Sequence, residues 1–142
     1  MDFQGSHKFA AAPQQVWTAM MNPAVLQACI PGVDEVTMSG NTINMRINVN
    51  TPFLKGEFAI PAEIVSQTPP SNAVLHIDRT GSYGTIKGEA TINLAPDGAG
   101  TNLTYTVHAD LSGKAGMANN MIGEQAAKAA LGQFFKNLDG KV

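Results

Sequence analysis

His7 is the one histidine on the apolar parity of its strand, beside Phe3 and Phe9. An imidazole there is either a core histidine hydrogen-bonded to backbone or, with the Tyr105 hydroxyl, a polar handle for a ligand head group such as a quinone carbonyl. His76 and His108 fall on the wet parity of their strands and read as solvated. Cys29, the single cysteine, is flanked by Ala28 and Ile30, which favours an inert buried thiol over a nucleophile. No Cys or His spacing suits zinc, and neither a Gly-x-Ser-x-Gly elbow nor a phosphate loop occurs. No acidic pair shares the inward parity of a clear strand, where general acid–base chemistry would need it. A catalytic site is therefore not expected, although His7 and Tyr105 alone leave a small cyclase-type enzyme open.

What the sequence offers instead is apolar contact. Met117 and Met121, at i,i+4, either line a pocket mouth or fill a core, and Ile122 follows them. Phe53, in Thr51-Pro52-Phe53-Leu54, and Tyr83, in Gly81-Ser82-Tyr83-Gly84, are loop aromatics suited to a gate or docking edge. Leu26, Ile47, Phe58, Ile60 and Ile86 complete the candidate ligand-binding set, while Trp17 packs the first helix down.

Elements must position these side chains. Residues 2 to 9 alternate as a half-buried strand. Pro13 opens a short amphipathic helix carrying Val16, Trp17, Met20 and Met21, and Asn22-Pro23 caps a second one ending at Cys29. From Val33 the period is two. Strands are expected over Val33 to Met38, around Ile43 to Val49, Phe58 to Ile64, Ala73 to Arg79, Ile86 to Leu94 and Leu103 to Leu111. Ala95 to Gly100 reads as a loop, and Pro61 suggests an edge strand or a bulge. The segment from about Lys114 to Leu138 reads as one helix of roughly 37 Å. It has too much apolar surface to stand alone in water, and several strands have one apolar and one polar face. The expectation is a single α+β domain over residues 1–142. About seven curved antiparallel strands wrap a long C-terminal helix, with two short helices after the first strand.

Composition narrows the class. The chain has 142 residues, 14% of them charged, with a net charge of −2. Its nine basic residues form no cluster, which excludes a nucleic-acid footprint. No apolar run approaches the roughly 18 residues of a membrane span, and no signal peptide leads the chain, so a cytoplasmic location is expected.

The order of elements resembles the START-like, or helix-grip, superfamily of polyketide cyclases and lipid-transfer domains. More narrowly it resembles the family of the carbon monoxide dehydrogenase G subunit. The match is carried by Phe3-Gln4-Gly5-Ser6, Ala12-Pro13-Gln14-Gln15-Val16-Trp17, Asn22-Pro23-Ala24-Val25-Leu26 and Cys29-Ile30-Pro31-Gly32. It continues through Lys55-Gly56-Glu57-Phe58, Gly100-Thr101-Asn102-Leu103-Thr104-Tyr105, Gly113-Lys114-Ala115 and Phe134-Phe135. The resemblance implies a hydrophobic cavity between sheet and helix, an apolar quinone or lipid ligand and no covalent cofactor. It also implies an accessory role beside a molybdenum hydroxylase, through membrane recruitment or electron transfer to quinone. Many members end in a hydrophobic anchor; this sequence ends at Val142, so only peripheral contact with the inner face of a membrane is expected.

Small residues bear on that cavity. Gly5, Gly84, Gly88, Ala62, Ala90 and Ala109 share the inward parity of the sheet, and Ala115, Gly116, Ala118, Gly123, Ala126, Ala129, Ala130 and Gly132 stud the helix. They either permit close backbone approach or leave room for an apolar ligand; the resemblance favours room. A core filled solid would leave only a role in assembly.

Overall fold

Alternation with a period of two becomes seven strands, and each break expected from Pro, Gly or Asn becomes a turn or a helix start. The computed structural model describes residues 1–50, 55–82, 84–113, 115–118 and 121–142, excepting the side chains of Val49, Met117, Ala118, Met121 and Ile122. In order these form β1 (Asp2–Phe9), α1 (Pro13–Met20), α2 (Pro23–Cys29), β2 (Val33–Ser39), β3 (Thr42–Asn50) and β4 (Lys55–Thr68). Then come β5 (Asn72–Gly81), β6 (Gly84–Asp97), β7 (Gly100–Ser112), a 3-10 turn (Ala115–Ala118) and α3 (Met121–Asp139). The strands make one antiparallel sheet in the order β1-β7-β6-β5-β4-β3-β2.

The helix starts follow local chemistry. Asn22 Oδ1 accepts the Ala24 N–H at 3.0 Å and caps α2. At α1 the cap position is Ala12, which has no side-chain acceptor, and Gln15 Oε1 reaches back to the Ala12 N–H at 3.2 Å.

Three expectations are corrected. The C-terminal α-helix begins at Met121, so it has 19 residues and is about 28 Å long at about 1.5 Å per residue; the 3-10 turn precedes it. The Ala95 to Gly100 loop shrinks to a two-residue turn, because Pro96 pairs with Thr101 and Asp97 with Gly100 while Gly98 takes φ +62°. Pro61 lies on an interior strand, paired with Asn44 on β3, and the ladder irregularity falls between Ile64 and Ser66 instead. A proline is tolerated there because the β4–β5 ladder has already ended at Glu63–His76, so the missing N–H costs no β5 bond. Beyond that pair β4 runs with β3 alone and β5 with β6 alone.

The concave face of the sheet carries the core, which divides into two clusters. One joins Phe9, Val16, Trp17, Cys29, Leu103, Tyr105, Phe135 and Leu138 with their neighbours. The other holds Leu26, Val36, Ile43, Ala62 and Ile64. Met21, Leu75 and Phe134 pack against both.

Candidate functional site

The seam between those two clusters is not filled. A partly open cavity of about 150 Å³ lies there, and its wall presents no polar surface. Trp17, Met20 and Met21 of α1 and its C-cap close one end, with Leu26 and Ile30 beside them. Ile43, Met45, Ala62 and Ile64 form one part of the floor, Ala73, Leu75 and Ile92 the other, and Phe134 of α3 is the roof. Larger hollows, of about 390 and 600 Å³, lie on the outer sheet face and along the β1–α3 edge. They are shallow and rimmed by Asp2, Gln4, Glu89 and Lys128, so they offer an apolar ligand no dry wall.

A dry cavity of this size could hold about five waters at about 30 Å³ each, yet it has no polar partner to keep them. It suits an apolar fragment. Drug-sized ligands need roughly 300 Å³ or more, so a longer molecule must continue along the concave face. That continuation exists: Ile47, Phe58, Ile60, Ile77, Ile86 and Ala90 stand half-buried on the same face.

Of the candidate residues, Leu26 lines the cavity, and Ile47, Phe58, Ile60 and Ile86 belong to its half-buried continuation. Phe53 and Tyr83 lie outside the described residues, as do the side chains of Met117, Met121 and Ile122.

His7 and Tyr105 are elsewhere. His7 Nε2 donates to the Asp139 carboxylate at 3.0 and 3.1 Å, and its ring stacks on Phe135 with centroids 5.6 Å apart. The partner is thus a side-chain carboxylate and not the backbone. Asp139 closes α3, where the helix dipole disfavours an anion, and His7 offsets that. Tyr105 is buried against Phe135, and burial pushes its phenol pKa up. None of the described residues hydrogen-bonds its hydroxyl. Cys29 is buried and burial raises its thiol pKa, which keeps it a poor nucleophile. His76 and His108, expected to be merely solvated, both pair with carboxylates: His76 with Glu89 at 2.6 Å, and His108 with Asp2 and Asp110.

Of the small residues singled out in the sequence, Ala62 lines the cavity, whereas several others do not. A Cβ on Gly5 would meet Tyr105 Cζ at 2.7 Å, so the Tyr105 ring already occupies that space. Gly84 adopts φ +100°, and a Cβ there would collide with the Ser112 carbonyl and Gly113, a backbone requirement. Ala126, Ala129 and Ala130 of α3 are exposed, so they do not face the sheet. What leaves the gap is the parting of two clusters, lined mainly by large side chains. Parity identified the floor residues as apolar and inward, but nothing local distinguished Met20, Met21 and Phe134 from ordinary core.

Among the described residues no group of three or more His, Cys, Asp or Glu could hold a metal ion, and no helix is long and apolar enough to cross a membrane.

A family model described as the G subunit of carbon monoxide dehydrogenase (CoxG) matches residues 5–142. No curated protein matches the chain. Among solved structures, a conserved protein from Geobacillus kaustophilus is 25% identical with a TM-score of 0.89, over 99% of this chain and 94% of that one. Mll3558 from Rhizobium loti is 17% identical with a TM-score of 0.79, over 100% and 96%. Ara h 8.0201 is 13% identical with a TM-score of 0.70, over 99% and 96%. The latter two likenesses speak for the fold alone, and that fold is consistent with the helix-grip arrangement.

Proposed function

The chain belongs to the CoxG family, that of the carbon monoxide dehydrogenase G subunit, and from that premise we propose that it is a non-catalytic carrier. It takes an apolar, quinone-like or lipid-like molecule onto its concave face and serves a molybdenum hydroxylase, by membrane recruitment or by passing electrons to quinone. The observation that carries this reading is the dry cavity at the seam of the two core clusters. A domain with only an assembly role has no reason to leave it: filling about 150 Å³ with side chains would stabilise the fold by several kcal/mol at about 24 cal/mol per Å³. The cyclase alternative finds less support, because His7 is engaged by Asp139 and neither it nor Tyr105 borders the cavity.

Trp17 is the single tryptophan and lines the cavity, so its fluorescence reports occupancy. Titration with short-chain menaquinone and ubiquinone analogues, and native mass spectrometry of gently purified protein, are expected to show one bound molecule per chain. No bound molecule, together with no fluorescence response to quinones or single-chain lipids, would count decisively against a carrier.

A further inference from the structure

We infer that Arg79 anchors an acidic head group, so that the ligand is an amphiphile with an oxyanion at one end and its tail in the apolar cavity. The inference rests on the carrier reading and takes its lipid-like branch, an acidic lipid, over the quinone-like one. The β5–β6 register places Ala73, Leu75, Ile77 and Arg79 on one face of β5, opposite Ile92, Ala90, Gly88 and Ile86. Ala73 and Leu75 line the cavity, and Ile77 packs against the second core cluster. Arg79 comes next on that path, about 13 Å from Leu75 at about 3.3 Å per residue.

Arg79 is itself exposed, at the end of this apolar row. Its cross-strand partner is Ile86, whose own partner on β7 is Leu111, and both are half-buried. Among the described inward-facing residues of the sheet the only other ionisable side chains are His7, which Asp139 engages, and Tyr105, a neutral phenol. The chain's other arginine, Arg46, is held between Glu35 and Glu57 on the outer face. Arg79 has neither an ion pair nor a side-chain hydrogen bond with any described residue. It also borders the place where β4 and β5 part after Glu63–His76, with Phe58 and Ile60 across the gap.

Among the described residues, Arg79 therefore ends an apolar row that begins at the dry cavity. Its five N–H donors match a carboxylate or a phosphate bidentately, whereas an alcohol or ketone takes one weaker bond. A fatty acid and an alkyl or prenyl phosphate offer the same oxyanion chemistry, and separate probes distinguish them.

The test follows Trp17 fluorescence during titration with dodecanoic acid, dodecyl phosphate and dodecanol. The unaltered protein is expected to bind at least one acid about tenfold or more tightly than the alcohol; whichever acid is preferred identifies the source. Arg79→Met is expected to erase that preference while shifting dodecanol affinity less than about twofold, and Arg79→Lys to restore only part of it. Equal binding of acid and alcohol, or a preference that survives Arg79→Met, would overturn the inference and leave the carrier reading standing. Failure of all three probes to bind would overturn the inference, and the carrier reading falls with it only where the quinone analogues also leave Trp17 fluorescence unchanged. The acid–alcohol comparison needs only the unaltered protein, so it decides even where a variant fails to fold.

Discussion

His108 shows how a side chain read as solvated acquires a role from its neighbours. On the outer face, register aligns Glu63, His76, Glu89, His108 and Asp2 across five strands, so acid and imidazole alternate in one row. The hydrogen bond that His108 donates to Asp2, helped by the charges of Asp2 and Asp110, holds the His108 pKa above its ordinary 6.5, while the same bond lowers Asp2 below 3.8. The His108 contribution is complete below 6.5 and is lost as pH rises through the raised folded value. The Asp2 contribution is present above 3.8 and is lost as pH falls through the lowered value. Both groups are exposed, so the effect is modest and weakens with salt. In urea denaturation, the protein is expected to exceed His108→Gln in stability at about pH 5.5 and to lose that margin by about pH 8.5. A margin independent of pH would remove the pair from any account of stability.

Helix α3 is tied down at its C-terminal half. Phe135 and Leu138 are buried, and Asn137 Nδ2 donates to the Cys29 carbonyl at 2.9 Å. That carbonyl ends α2 and lies in the last turn, where helical partners run out. One side chain therefore serves as a remote cap and clamps α3 to α2. Asn137→Leu keeps the volume and removes the donor, and thermal or urea unfolding is expected to show a loss of about 1–2 kcal/mol. An unchanged midpoint would mean that water satisfies the carbonyl as well as Asn137 does. The exposed alanines of the same helix explain why its composition misled: a run of small residues can mark a solvent face as readily as a cavity wall.

Taken whole, the domain gives up stability to keep space, and Ala62 tests the exchange. Ala62 is 4% exposed and lines the cavity from β4. Ala62→Val adds two carbons to free volume on a strand that favours branching, which is expected to stabilise the fold by about 1 kcal/mol. The same change shrinks the site, so affinity for apolar probes in the Trp17 assay is expected to fall severalfold. Destabilisation would mean that the space beside Ala62 is already occupied, and unchanged affinity would move the ligand away from the seam.

Element order was legible because its signals are local. Alternation between Ile43 and Val49 or Leu103 and Leu111 reports a strand wetted on one side, and Pro13, Asn22-Pro23 and Pro31-Gly32 restrict backbone angles wherever they occur. The family resemblance rests on those same residues. The cavity was not legible, because it depends on how distant parts meet. Tyr105 reaches across the sheet to occupy the space above Gly5, α3 turns its alanines outward and Phe134 inward, and β4 parts from β5 after Glu63. Strand register and helix phase are set by packing between segments as distant in sequence as β1 and α3, and that packing placed the empty seam and left Arg79 at the end of an apolar row.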